Sequence, residues 1–579
     1  MSGVPAPAGP ATAPRADRRR GVLTSRPATL LLAVAAGVCL WASFPDAALW
    51  PLAFVAVGLL HLALRRDGRR AAGWNALVGF VAMLTFWLPH IWWANFATDT
   101  VPWLALAVLE SLFGALFGAL WTWARQAPWA RLDAARPGSV ARSLGHAATF
   151  AVVFVAVEQW RAEIPFGGFP WGRLAWTMVD APTGRAAWLG GTVLVSLLVA
   201  LVGVLAVLVA GRAVAVRRAA RDGAAAGPPL AGAVVLTGVA CLLVLAPAAL
   251  PLPAADADPV ATQDLDEQVV DAGTATHETA GPVLTVGAVQ GNVPDPGRDA
   301  FANRSAVLDN HLTGTAALAE RDVALDVVLW PEDASGYDPQ EAPEVAAALD
   351  DAASAVGAPL LVGAQEYPET GGRYNVSLLW GSGQGVLDRY AKQHPAPFGE
   401  YIPLRGFVRL FSTEVDRVST DMLAGTEPAV VDLPRGDGVV PLATVICFEV
   451  AYDEIVRDAV ERGAQVLVVP TNNASFGDTA ESTQQLAMTR MQAMSTGRAA
   501  VQISTVGVSG VVAPDGTLVA RTDLFTADQV VAELPLRTTL TPATRAGYWP
   551  GWVAGVLALG CVVAGLVGRV RRGRAEVVA

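Results

Sequence analysis

The sequence predicts an α/β domain joined to a set of transmembrane α-helices, and three observations lead there. The 579 residues are 53% hydrophobic and only 16% charged, with a mean hydropathy of +0.41, too apolar for an ordinary soluble chain. Charge is unevenly spread: long stretches before residue 250 carry none, whereas residues 285–535 have a soluble composition. In that later region near-continuous apolar runs alternate with helical patterns, as buried sheet strands separated by helices do. A membrane part and a globular part of about 250 residues follow, the second long enough for one large domain.

Eight apolar segments approach the ~20 residues that cross a bilayer. They are 28–44, 47–64, 73–94, 101–124, 144–163, 185–210, 230–250 and 548–568, the first two at the short limit. Arg18, Arg19 and Arg20 give the first the flank of a signal peptide. No small-x-small cleavage site follows, and Val38 before Cys39 is a poor lipoprotein cleavage site, so it is read as a retained helix. Arginines then mark every alternate loop: Arg65, Arg66, Arg69 and Arg70; Arg125, Arg131, Arg136 and Arg142; Arg212, Arg217, Arg218 and Arg221; and Arg569, Arg571, Arg572 and Arg574 at the end. Positive loops stay cytoplasmic. Both termini are therefore expected inside and the 251–547 region outside. The organisation read is a basic tail (1–27), seven spans (28–250), an acidic Ala- and Pro-containing linker (251–282), an extracytoplasmic domain (283–537), an eighth span (548–568) and a second basic tail (569–579).

A net charge of −11 argues against a nucleic-acid partner; the basic clusters are accounted for by topology and lipid headgroups. Six scattered histidines form no HExxH or Cys/His pattern, so no metal is expected, and no phosphate-binding loop is seen. Of four cysteines, Cys39, Cys241 and Cys561 fall inside apolar segments. Cys447 stands alone in the outer domain, without a disulfide framework, and is either a buried small residue or a reactive thiol.

Within 283–537, strands are read at LTVGAVQGN (284–292), DVVLW (326–330), PLLVGAQE (359–366), NVSLLW (375–380), VVPLATVIC (439–447), QVLVVP (465–470) and AAVQISTVG (499–507). SGVVAPDGTLVA (509–520) carries a Pro-Asp-Gly turn signal. Helices are read at 343–357, 452–464 and 480–498. Three polar residues follow strand-like runs: Glu332 after DVVLWP, Lys392 after GVLDRYA, and Cys447 at the close of VVPLATVI. Ligands of α/β sheets gather at carboxyl ends of strands. Singly, each has a plain reading: a turn cap, a solvated lysine, a small core residue. Together they supply a base, an oxyanion partner and a nucleophile, and suggest acyl transfer through a thioester. His394 is an alternative base in a Cys/His pair.

WPED (330–333), YAKQHPAPFGEYIP (390–403) and VICFEV (445–450) resemble the Glu, Lys and Cys motifs of the nitrilase, or carbon–nitrogen hydrolase, superfamily. The Lys stretch, the bracketing apolar segments and Phe169-Pro170-Trp171 resemble the apolipoprotein N-acyltransferases within it, over about residues 28 to 568. The resemblance implies a nitrilase-like αββα sandwich on an eight-helix membrane domain. It implies that Cys447 takes an acyl chain from a phospholipid and passes it to the N-terminal diacylglyceryl-cysteine amine of a lipoprotein. Glu332 would be the general base, Lys392 the oxyanion partner, Glu400 a supporting residue, and Glu449 either a further functional glutamate or a structural hydrogen-bond partner. The setting implied is a bacterial plasma membrane, with no cofactor and a monomeric chain. Two stretches depart from the family pattern: Ser475 in TNNASFGD, where Trp is common, and STVGVSG (504–510), which lacks an Asn pair.

Four further features are read as serving lipid substrates. GFVRLFS (406–412) would be an arm dipping toward lipid or a loop packed on the domain; HIWWANF (90–96) would form an interfacial aromatic belt; Glu110 and Glu158, expensive in lipid, would face a polar cleft. The competing functional readings are a membrane-tethered amidase that passes the thioester to water, and an outer domain of a transporter or sensor that only binds ligand.

Overall fold

The computed structural model describes residues 25–68, 70–132, 139–222, 227–252, 269–271, 282–293, 304–321, 323–410 and 413–578. Arg18–Arg20, Arg69, Arg136, the last two residues of 406–412 and most of the expected linker lie outside the described residues.

The first part is helical. Its elements are α1 (Arg26–Ala42), α2 (Pro51–Ala63), α3 (Ala71–His90), the short α4 (Trp92–Thr98), α5 (Thr100–Ala124), α6 (Val140–Arg161), α7 (Ala187–Arg221) and α8 (Gly227–Leu245). Six described helices are long and apolar enough to cross a membrane, five here and one near the chain's end; α1 and α2 are shorter, 17 and 13 residues. The second apolar segment loses its first residues because Pro51, with no N–H to give, sits in the opening turn of the helix. α7 is broken at Gly190–Gly191, where Gly191 has φ +64°. α3 and α5 touch backbone to backbone: a Cβ on Gly79 would overlap the carbonyl of Gly114, the small-residue contact typical of helices in lipid.

The two buried glutamates of this part are paired. Glu110 of α5 meets Arg161 of α6 at 3.2 Å, and Glu158 accepts the backbone N–H of Leu174 at 2.8 Å. Arg161 also donates to the carbonyl of Phe169. The two glutamates therefore face protein, not a polar cleft. Their role is to hold the 169–174 loop, since an unpaired carboxylate here would be costly.

The second part contains β1 (Val269–Asp271), β2 (Val283–Gln290), α9 (Arg304–Glu320), β3 (Val327–Leu329), α10 (Pro343–Val356), β4 (Leu360–Glu366), β5 (Tyr374–Gly381), β6 (Gly385–Ala391), α11 (Arg405–Val408), β7 (Val430–Arg435), β8 (Gly438–Thr444), α12 (Asp453–Glu461), β9 (Val466–Thr471), α13 (Glu481–Thr496), β10 (Ala500–Ser504), β11 (Gly510–Val512), β12 (Leu518–Arg521) and β13 (Asp528–Pro535). After α14 (Pro542–Ala546) the chain returns to the helical part as α15 (Trp549–Val578). The strands form two sheets, ordered β1-β13-β2-β3-β4-β5-β6 and β12-β11-β10-β9-β8-β7. Alternation along β2 sets the layers: Leu284, Val286 and Ala288 share a core with β8 and β9, while Val289 joins Leu308 of α9 and Leu349 of α10.

The parts are locked by polar contacts. Buried Arg173 lies 3.5 Å from Asp453, which also accepts from Gln492 at 2.9 Å. Arg490 meets Asp180 at 2.6 Å, and the Tyr452 hydroxyl donates to the Gly168 carbonyl. Arg173→Met should lower the unfolding free energy of the detergent-solubilised protein by about 2 kcal/mol, as loss of hydrogen bonds to a charged group does. Thermal unfolding monitored by near-UV signal checks this; an unchanged midpoint would mean that the Arg173–Asp453 contact does not help dock the two parts.

Candidate active site

Each of the three expected strand ends delivers its side chain to one place. β3 is buried on both faces and ends in Trp330, whose indole donates to Thr315 at 2.9 Å. The chain then crosses β4 at Gly363, where a Cβ would overlap the Pro331 carbonyl. This close crossing sets Glu332, 4% exposed, beside Asn375 of β5, whose amide donates to its Oε1 at 2.6 Å. Lys392 follows β6 and is 1% exposed. Its Nζ lies 3.0 Å from Glu332 Oε1 and 2.6 Å from Glu400 Oε1. Glu400 Oε2 accepts the N–H of Ala396 at 2.6 Å, so the Lys loop curls around the carboxylate.

Cys447 lies just beyond β8, half-buried, with φ +54°. Positive φ is uncommon for a residue with a side chain, and at a sharp turn it pushes the thiol out of the strand direction. The turn is held by Glu449, fully buried. Its carboxylate accepts N–H groups from Ile446 at 3.0 Å, Gln393 at 2.7 Å and His394 at 3.0 Å, and the Tyr390 hydroxyl at 2.9 Å. One side chain thus ties the Cys turn to the Lys loop. Of the two roles open to Glu449, the geometry matches the structural partner. Burial pushes its carboxyl up to about 7, against the pull of Lys392 and these donors.

Burial likewise raises the Glu332 carboxyl above its ordinary value, although Lys392 opposes it. Burial would lower the Lys392 ammonium, but Glu332 and Glu400 outweigh it and hold the group well above the usual lysine value. Burial, then the nearby Glu332 carboxylate, raises the Cys447 thiol, with Lys392 pulling the other way. A carboxyl raised toward neutrality beside a thiol is suited to proton transfer, and a fixed ammonium is suited to a developing oxyanion. His394 is not placed as the alternative base: its ring packs on Tyr452, centroids 4.6 Å apart, and makes no side-chain hydrogen bond among the described residues.

The helical part supplies one wall. Phe448 stacks on Trp171 (5.3 Å, 6°) and Phe169 (5.8 Å, 22°). The indoles of Trp93 and Trp171 both donate to Gln484 Oε1, at 3.2 and 2.6 Å. Of the expected aromatic belt, Trp92 and Phe96 are exposed, whereas Trp93 is buried in this wall. The 404–410 stretch folds on its own charges, Arg405 on Asp421 and Arg409 on Asp416, and leaves Leu404, Phe407 and Leu410 outward.

The residue reading missed Asn375, Tyr390 and a buried polar group at the end of β9 and the start of α13, Thr471, Asn473, Glu481 and Gln485. Thr471 ends β9 just as Cys447 follows β8, so the strand-end rule would have found it. The other signal was polarity inside apolar runs, as at Asn375 in YNVSLLW.

The site groups a carboxyl, an ammonium and a thiol at sheet strand ends, against an apolar helical part, a set that fits the carbon–nitrogen hydrolase class. Residues 285–541 match the carbon-nitrogen hydrolase family and residues 36–205 the apolipoprotein N-acyltransferase N-terminal domain. The chain is 37% identical to the apolipoprotein N-acyltransferase of Mycolicibacterium smegmatis, over 96% of this chain and 87% of that one. It is 30% identical to those of Azotobacter vinelandii (92% and 94% covered) and Pseudomonas aeruginosa (91% and 94% covered). A solved amidase of the nitrilase superfamily from Nesterenkonia AN1 aligns at 20% identity with a TM-score of 0.34, covering 46% of this chain and 96% of that one. The chain belongs to the apolipoprotein N-acyltransferase family.

Two substitutions test the placement of these groups. Gly363→Ala forces β4 away from Pro331 and should cut the rate of Cys447 acylation at least tenfold with little change in helix content by circular dichroism. Glu449→Gln turns two acceptor oxygens into one acceptor and one donor against three N–H groups. It should cost about 1–3 kcal/mol of stability, the penalty for leaving buried donors unpaired, together with most of the activity. A denaturation curve and an acylation rate measured on one preparation check both.

Proposed function

We propose that this protein transfers an acyl chain from a phospholipid through a thioester on Cys447 to the N-terminal diacylglyceryl-cysteine amine of a lipoprotein. The observation that carries the reading is the convergence of Glu332, Lys392 and Cys447 from three strand ends beside an aromatic wall of the helical part. In the first half-reaction Glu332 takes the thiol proton, sulfur attacks the ester carbonyl, and the oxyanion is held by Lys392. Collapse breaks the ester C–O bond; the lysophospholipid leaves with the proton from Glu332. In the second half the acceptor amine attacks the thioester, Glu332 takes its proton, and the C–S bond breaks as the amide forms, the proton passing from Glu332 to the departing sulfur to restore the thiol. The thioester conserves the acyl energy, so the chemistry needs no cofactor. Glu400 is a second carboxylate holding the Lys392 ammonium, 2.6 Å from its Nζ.

The apolar residues at 404–410 support contact of this stretch with lipid. The arginine pattern supports eight spans, α1 and α2 included, with both termini inside and the sheet domain on the outer face of a bacterial membrane. Two sheets sharing one core, each with helices outside, support an αββα sandwich across 283–537. The domain limits 28–250 and 548–568 follow the same reading; the expected 251–282 linker is corrected by β1 (Val269–Asp271), which pairs with β13 and so belongs to the first sheet, and the chain is taken to act as a monomer.

The test is intact-protein mass measurement after incubating solubilised protein with a defined phospholipid and no acceptor. An acyl-sized adduct on Cys447 is expected, sensitive to neutral hydroxylamine, absent in Cys447→Ala, and discharged by a diacylglyceryl lipopeptide. Hydrolysis of small amides with no lipid-derived adduct would replace this reading with an amidase.

A further inference from the structure

The end of the helical part away from the thiol gathers positive charge that acyl transfer does not use. The α2–α3 turn and the opening of α1 border an open cavity of about 640 Å³, lined by Ser25, Arg26, Arg65, Arg66 and Asp67. Arg125, at the end of α5, fixes that turn from behind and is 8% exposed. Its guanidinium donates to the carbonyl of Leu64 at 3.0 Å and to that of Arg66, and pairs with Asp67 at 3.0 Å. Asn75 donates to the same Arg66 carbonyl at 3.2 Å. Arg26 and Arg66 lie over one indole, that of Trp74, 5.0 and 5.4 Å from its ring centroid. The indole is itself anchored by donating to the Thr29 hydroxyl at 3.1 Å. Among the described residues Arg26, Arg65 and Arg66 form no ion pair, and the one carboxylate lining the cavity is taken by Arg125. Four guanidinium groups against one carboxylate leave three positive charges around the cavity. Membrane orientation needs arginines in such a turn, but it does not need them converging on a cavity, fixed by a buried arginine and a shared indole.

We propose that this cavity binds an ionised phosphate group on the cytoplasmic side of the membrane, carried by the headgroup of an anionic phospholipid or free in solution. Guanidinium forks offer paired N–H groups to phosphate oxygens, and three of them without a carboxylate match a group of net negative charge. A zwitterionic headgroup would bring its own cation against the same arginines. The cytoplasmic leaflet is the one rich in anionic lipid. The phosphate held here is not that of the acyl donor at Cys447. α3 runs from Trp74 at this cavity to His90, whose carbonyl accepts from Gln484 at 3.1 Å beside the aromatic wall. At ~1.5 Å per residue that stretch spans roughly 24 Å, so the two sites lie toward opposite faces of the bilayer. A bound phosphate would join the opening of α1 to the α2–α3 turn, and so brace the helix that reaches the wall.

The assay is the thermal-unfolding midpoint of full-length protein in maltoside micelles, titrated with dialkyl phosphatidylglycerol, whose ether links cannot acylate Cys447. The midpoint should rise with this lipid, as it does when a ligand binds the native state. Dialkyl phosphatidylcholine should need about ten times the concentration or more for the same rise. Arg65→Gln combined with Arg66→Gln should weaken the phosphatidylglycerol effect about tenfold or more, the scale of lost hydrogen bonds to a charged group. Inorganic phosphate separates the two sources: an equal rise from it alone assigns the free anion, and a rise seen only with the lipid assigns the headgroup. Equal responses to the two lipids, or a double variant that responds as the wild type does, overturn the proposal. Should the double variant fail to fold, Arg26→Gln decides by the same titration. Acylation of Cys447 by a phospholipid should be unchanged in the double variant. Its absence from the wild type would overturn the thioester reading and leave this site standing.

Discussion

An ammonium buried to 1% exposure is tolerable only if carboxylates meet it, and Lys392 meets two. Much of the site follows from that requirement. Glu332 has to reach Lys392 from β3, which requires the chain to cross β4 where Gly363 has no side chain. Glu400 has to reach it from the far end of the Lys loop, which curls the loop so that Ala396 donates back to the same carboxylate. A buried triad of this kind adds little to stability, because desolvation offsets attraction. What it provides is a cation that cannot swing away, beside a glutamate whose carboxyl burial raises above its ordinary value.

A second carboxylate organises the other half. Glu449 sits where the Lys loop and the Cys turn meet and ties them with three N–H groups and a phenol. The positive φ of Cys447 persists because this clamp over-determines the turn. Two glutamates two residues from a catalytic-type side chain or eight along from it therefore do different things. Glu400 serves a charge, and Glu449 serves a backbone.

The sequence was informative where chemistry leaves a local mark. Apolar segments, alternate arginine loops and strand-like runs outlined the helices and most strands, and Glu332, Lys392 and Cys447 were visible because polar residues at strand ends stand out. α9, β7 and β13 were harder: α9 (RSAVLDNHLTGTAALAE) has a weakly amphipathic pattern, and β7 carries a Pro at a sheet edge. The part played by Glu110 and Glu158 was also out of reach. Whether a glutamate in an apolar helix faces a cleft or a neighbouring backbone depends on a loop brought in from elsewhere in the chain.

The stacked wall of Phe169, Trp171 and Phe448 has a consequence for inheritance. One face of the stack is encoded in the helical part and the other two residues past the start of the Cys motif's turn, nearly three hundred positions apart in the gene product. Neither half owns the cleft. A sheet domain transplanted from a distant relative would arrive with half of a mismatched joint, and a sheet domain expressed alone would lack the Phe169 and Trp171 face of the stack. Selection on what the enzyme accepts must therefore act on both parts of the chain at once, and changes at the stack should travel as pairs.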